Sequence, residues 1–227
     1  GRGIYAAAEE LADKLGGVYM DQFTYAERAT DWRGNNNIAE SIFEQMSREE
    51  HAVPAWIVMS AGTGGTTATL GRYIRYKRLA TRLCVADPEY SAFFAAFDAG
   101  NMAATCDRGS RIEGIGRPRV EPSFIAKVID HMMRVPAEAA LAALRVLPRR
   151  LGRRVGGTTG TNFFALCVVA SRMKAGGAKG SLVTLICDSG ERYGHTYYSD
   201  EWIAAQGFSL APDEQALDAF LEGKGAL

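Results

Sequence analysis

Apolar residues recur along the chain in two alternating rhythms, one of helical period and one strand-like. Residues 4–15 predict an amphipathic helix, stopped by Gly16 and Gly17, and 18–23 predict a strand. Asn35, Asn36 and Asn37 offer a helix cap ahead of an apolar stripe formed by Ile38, Ile42, Phe43 and Met46. Residues 56–59 read as a short apolar strand running into a glycine-rich turn, with a helix over roughly 64–78 behind it. A further strand over 82–86 is closed by Asp87 and Pro88. From Gly100 to Pro122 the chain is rich in Gly, Pro and Arg and reads as a long ordered loop. Helices are expected at 122–133, 136–148, 159–174 and 212–221, with a buried strand, SLVTLIC, at 181–187. Strands alternating with helices predict an α/β fold, an open and mostly parallel twisted sheet flanked by helices.

Composition narrows the function classes. Lys+Arg and Asp+Glu balance at 26 each, so nothing favours a nucleic-acid partner. No apolar run approaches the roughly 18 residues a membrane helix needs. The four cysteines (Cys84, Cys106, Cys167 and Cys187) lie far apart, mostly in apolar stretches, and suggest a reducing cytoplasm. The three histidines share no metal-ligand spacing, so no metal site is expected.

The sharpest chemical signal is Ser60-Ala61-Gly62-Thr63-Gly64-Gly65-Thr66, placed between a strand and a helix. Consecutive glycines turn several amides toward one anion, and the helix start adds positive partial charge. No lysine follows and the GxGxxG spacing is absent, so the cup suits one phosphate monoester better than a longer phosphate chain, the alternative being a tight turn that needs glycine only for its backbone. A second signal, Cys187-Asp188-Ser189-Gly190-Glu191-Arg192-Tyr193, follows the strongest strand, where α/β sheets hold ligands. Ser189 suits a neutral ring nitrogen because a hydroxyl imposes no charge, and Asp188 is the neighbouring alternative. Glu113-Gly114-Ile115-Gly116, and the run from Gly156 to Asn162 (GGTTGTN), each permit a close backbone approach to a ligand or to a second helix.

In this order the four motifs resemble the fold-type II pyridoxal-phosphate (PLP) enzymes: cysteine synthase, cystathionine β-synthase and their relatives. The resemblance runs from about Met20 to Tyr193. It implies that residues 62–66 hold the PLP phosphate, that Ser189 meets the pyridine nitrogen, and that Gln22 touches the carboxylate of an amino-acid substrate. It also implies that the EGIG loop moves as the site closes, and that the protein is a homodimer. Residues 1–24 would finish a smaller domain and 25–227 form the large PLP-binding domain. The stretch 21–40 departs from ordinary cysteine synthases, with Arg28, Asp31 and Arg33 among its charges. Together with SRIEGIGRPRVEPSF it resembles the bacterial cysteine desulfhydrase branch.

That branch implies β-elimination of L-cysteine to sulfide, ammonia and pyruvate. The alternatives are β-replacement, as in a cysteine or cystathionine synthase, and a non-catalytic PLP-fold piece that docks to a partner chain. The family's Schiff-base lysine and its Ser/Thr-Gly-Asn loop precede the matched region and neither pattern occurs here. The lysines present (Lys14, Lys77, Lys127, Lys174, Lys179 and Lys224) read as surface charges. No catalytic residue is therefore assigned within these residues, an N-terminal portion is expected to precede them, and without it the chain is expected to be inactive.

Overall fold

The computed structural model describes residues 2–227. In chain order it contains α1 (Arg2–Leu15), α2 (Gln22–Tyr25), α3 (Ile38–Met46), β1 (Trp56–Met59), α4 (Gly65–Tyr76), β2 (Arg82–Pro88) and α5 (Phe93–Asp98). There follow β3 (His131–Val135), α6 (Ala137–Val146), α7 (Pro148–Leu151), α8 (Gly157–Ala175), β4 (Leu182–Thr184), α9 (Asp200–Ala205) and α10 (Ala211–Leu221). The four strands form one sheet in the order β3-β2-β1-β4, and every pairing is parallel. The expected α/β class is borne out, and the strand before the glycine-rich turn lies beside the strand of SLVTLIC.

Side-chain alternation along these strands splits the core into two layers. Val58, Cys84, Ala86, Met133 and Val135 face α6, α8 and α10. Ile57, Met59, Leu83, Val85 and Met132 face the layer that contains α3, α4 and α5. Both sheet faces are thus covered, as parallel sheets require. Each large aliphatic residue so buried contributes roughly 1.5–3 kcal/mol. On the first layer the alanine-rich α6 lies flat against α8, where a Cβ on Gly160 would sit 2.3 Å from the Ala140 carbonyl oxygen. A glycine is required there because nothing larger fits between the helices.

Three expected elements differ. Residues 18–23 form no strand; Asp21 takes a left-handed φ of 38° and the chain turns into α2. The helix expected over 122–133 is a 3-10 turn (Ala126–Val128) followed by β3, because Asp130 is drawn to the neighbouring strand, accepting a 2.7 Å hydrogen bond from the Leu83 amide. The strand expected at 181–187 pairs only over Leu182–Thr184 and is half-buried throughout, because it occupies the sheet's edge. The cap at Asn37 is present, with its side chain accepting from the Glu40 amide at 3.0 Å. The loop between α5 and the 3-10 turn contains no regular element, only a bridge between Thr105 and Arg119. Apolar side chains near the start stand in the open: Ile4, Leu15, Val18 and Met20 are 71–81% exposed.

Candidate active site

The glycine-rich turn joins the carboxyl end of β1 to α4, where a parallel sheet presents its ligands. Gly64 adopts φ 91°, a conformation that favours glycine, and the chain then enters α4. The Gly65 amide donates to Thr63 Oγ1 (3.1 Å). The amides of Thr63, Gly64 and Thr66 have no acceptor among the described residues. Unpaired amides at a helix start form a cradle for a compact anion, so the turn fits a phosphate group on its own chemistry. Glycine serves a second purpose here. A Cβ on Gly64 would fall 2.7 Å from Phe124 Cα, and one on Gly65 would fall 2.9 Å from Ala26 Cβ. Side chains at these two positions would therefore strike the protein rather than an anion's space.

The EGIG loop closes over this turn. A Cβ on Gly62 would lie 2.4 Å from the Gly114 carbonyl oxygen, and the Gly116 amide donates to the Ala61 carbonyl at 3.0 Å. Gly114 and Gly116 both hold positive φ, at 87° and 70°. Further along, the Arg117 amide donates to Ser91 Oγ (3.3 Å) and the Arg117 carbonyl accepts from the Ala92 amide (2.8 Å). At the loop's other end, Tyr197 Oη accepts from the Glu113 amide at 2.9 Å, and Glu113 pairs with Arg192 at 3.0 Å. A cavity of about 550 Å³ opens between loop and turn, and its lining includes Gln22, Gly62, Thr63, Thr66 and Arg117. Gln22, the first residue of α2, reaches it because the left-handed turn at Asp21 swings the short helix across the opening.

The remaining two motifs meet each other. At the end of β4 the Cys187 amide donates to Thr159 Oγ1 (3.0 Å) and the Asp188 carbonyl accepts from the Gly156 amide (3.0 Å). A Cβ on Gly156 would overlap the Asp188 carboxylate at 1.8 Å. The glycines of GGTTGTN therefore serve contacts with protein: Gly156 with Asp188, Gly157 with Tyr197, and Gly160 with α6. Asp188 is already engaged, because Tyr193 Oη donates to its Oδ2 at 2.7 Å. Burial, and then the Asp188 carboxylate, push the Tyr193 phenol well above its ordinary range. Ser189 Oγ accepts from the Glu191 amide (3.3 Å), which leaves its own O–H to donate. Ser189 is exposed and outside the cavity beneath the EGIG loop.

Asn162 ties the two halves together. It is 1% exposed, accepts from Ser60 Oγ at 2.5 Å, and places Nδ2 3.7 Å from Cys187 Sγ. The ends of β1 and β4 are thus registered by one buried amide. Asn162 lies inside the GGTTGTN motif, yet nothing in the sequence signals that role. Nothing local signals Tyr197 either, and only the Arg-x-Arg-x-Glu run at 117–121 hints at the Arg117–Glu121 pair. Among the described residues no cluster of His, Cys, Asp and Glu has the arrangement to hold a metal ion, and no helix is long and apolar enough to cross a membrane.

Comparison with known proteins supplies the family. The chain is 58% identical over 217 residues to the L-cysteine desulfhydrase Cds1 of Mycobacterium tuberculosis, covering 96% of this chain and 59% of that protein. It is 32% identical over 200 residues to cysteine synthase 2 of Schizosaccharomyces pombe, with 82% and 48% covered. Against cysteine synthase 2 of Neurospora crassa it is 30% identical over 225 residues, with 93% and 47% covered. The chain therefore spans about half to three-fifths of the length of these relatives. The profile of the family described as "Pyridoxal-phosphate dependent enzyme" matches residues 2–188, a span that takes in the first three motifs and ends at Asp188, just before Ser189. By that match, and by the cradle, loop and clasped turn at the ends of β1 and β4, the chain belongs to the pyridoxal-phosphate dependent enzymes.

Proposed function

We propose that the full-length protein is a carbon–sulfur lyase that eliminates sulfide from L-cysteine and yields pyruvate and ammonia. The observation that carries this reading is the 58% identity, across 96% of the chain, to an L-cysteine desulfhydrase. When bound, pyridoxal phosphate draws electron density from the substrate's α-carbon, the chemistry that lets a β-substituent leave.

The chain's own residues divide the remaining work. The unpaired amides of Thr63, Gly64 and Thr66 hold the phosphate, aided by the Thr63 and Thr66 hydroxyls, with Gly62 and Gly65 letting the turn pack closely. Ser189 donates to the ring nitrogen; its free O–H, and the engagement of Asp188 by Tyr193, favour it over Asp188. Gln22 orients the substrate carboxylate from the cavity rim. The EGIG loop excludes water from the reacting atoms. A covalent lysine is supplied by sequence outside these residues. Residues 1–24 complete a smaller domain, 25–227 form the large one, and the protein works as a homodimer in the cytoplasm.

The test supplies full-length protein with L-cysteine alone, then with O-acetylserine and sulfide. Pyruvate and sulfide release should dominate. Faster cysteine formation would move the protein to β-replacement, in keeping with its fungal relatives' names. Light scattering tests the dimer, and cell fractionation tests the location.

A further inference from the structure

Glu121 lies in the long loop yet is 0% exposed. Its carboxylate accepts from Arg117 Nε at 3.0 Å and from Arg119 Nε at 3.2 Å. Two guanidiniums on one buried carboxylate leave the cluster with one net positive charge. Arg117 is fixed further: a terminal nitrogen donates to Tyr5 Oη at 2.7 Å, and the guanidinium carbon stands 4.2 Å from the centre of the Phe23 ring. Its remaining donors have no acceptor among the described residues. Among the described residues Arg117 is the only cationic residue lining the 550 Å³ cavity, whose one acidic member, Glu113, is paired with Arg192. Arg119 does not line that cavity, and its guanidinium lies 4.5 Å from the Tyr5 ring.

We propose that Arg117, set in place by the buried Glu121, is a specificity determinant that reads the carboxylate of an amino acid entering the cavity. A planar guanidinium held on three sides loses little freedom when it binds, and its fork of donors matches a carboxylate. Phe23 follows Gln22 directly, so the guanidinium stands on the Gln22 side of the cavity and joins that amide in facing the same group. The inference rests on the lyase reading for the identity of its amino acid.

The experiment uses full-length protein loaded with PLP and compares L-cysteine with its methyl ester, which lacks the charge. Two readouts are taken: the change in cofactor absorbance as each is titrated in, and kcat/KM for pyruvate release. In Arg117→Gln, preference for the acid over the ester should fall about 10- to 100-fold, chiefly in KM and in the absorbance titration. Arg117→Lys should restore part of it. Arg119→Gln, which disturbs the same carboxylate, should leave the preference unchanged, and all three variants should retain PLP. An unchanged preference in Arg117→Gln overturns the proposal, as does an equal loss in Arg119→Gln. Loss of PLP from Arg117→Gln also overturns it, by assigning the arginine to the phosphate. Should the wild type release no pyruvate, the lyase reading fails, while the absorbance titration still decides the role of Arg117.

Discussion

Gly62 and Gly114 meet backbone to backbone: a Cβ on the first would lie 2.4 Å from the carbonyl oxygen of the second. The phosphate cradle and its covering loop are therefore in contact with no side chain between them. Gly62→Ala should push the loop outward, lowering PLP affinity at least about tenfold while destabilising the fold by about 1–3 kcal/mol. Dialysis followed by cofactor absorbance checks the first effect, and urea denaturation the second. PLP retained as in the wild type would separate the loop contact from cofactor binding.

Gly160 fixes the approach of α6 to α8. Gly160→Ala gains helix propensity of about 1 kcal/mol but forces a methyl group onto the Ala140 carbonyl and Leu144. The collision should win, for a net loss of about 2 kcal/mol. A shifted denaturation midpoint at constant slope is the expected signature.

Asp87, at the end of β2, is 0% exposed, and its Oδ1 has no hydrogen-bond partner. Burial pushes its carboxyl up to about 7; Ser91, the Phe94 amide and Arg134 act the other way and only partly offset that cost. A raised folded pKa means the native state holds a proton the unfolded chain has released. The contribution to stability is thus complete below about pH 4 and declines as pH rises to about 7, by at most about 4 kcal/mol, then levels off. Asp87→Asn should flatten that decline. Denaturation at pH 5 and pH 8 reads it, and parallel pH dependence in both proteins would show that Asp87 ionises normally.

Tyr193 donates to Asp188 across the turn that carries Ser189. Tyr193→Phe should cost about 1.5–3 kcal/mol, the worth of a bond to a charged acceptor. It should also free the carboxylate to compete with Ser189 for the ring nitrogen, moving the absorbance of bound PLP. A stability loss with an unmoved spectrum would limit Tyr193 to bracing the turn.

Local signals were legible in the sequence and long-range ones were not. The short apolar strand at 56–59, the glycine-rich turn after it and the Asn37 cap are all dictated within a few residues, and each appears where expected. The glycines of GGTTGTN left two readings open, because a missing Cβ looks the same whether a ligand or a helix approaches. Only the positions of Ala140 and Asp188 resolve it. The strand His131–Val135, whose first three residues the local pattern assigns to a helix, pairs with Cys84–Pro88 some 47 residues earlier, and Asp130 accepts from Leu83 over the same separation. The roles of Asn162 and Arg117 depend likewise on Ser60, Cys187, Tyr5 and Glu121 being brought together.

The placement of β4 beside β1 also has a bearing on time. Thr184 Oγ1 donates to the Val58 carbonyl across 126 residues of chain, so β1 acquires β2 as a neighbour early and β4 only late. During synthesis the flank of β1 that receives β4 stays open until most of the chain has emerged. Closing so long a segment is slow, and the half-finished sheet is the species most prone to wrong pairing. A ribosome-stalled series in which residue 184 lies first inside and then beyond the exit tunnel should therefore show protease resistance arriving abruptly, with β4.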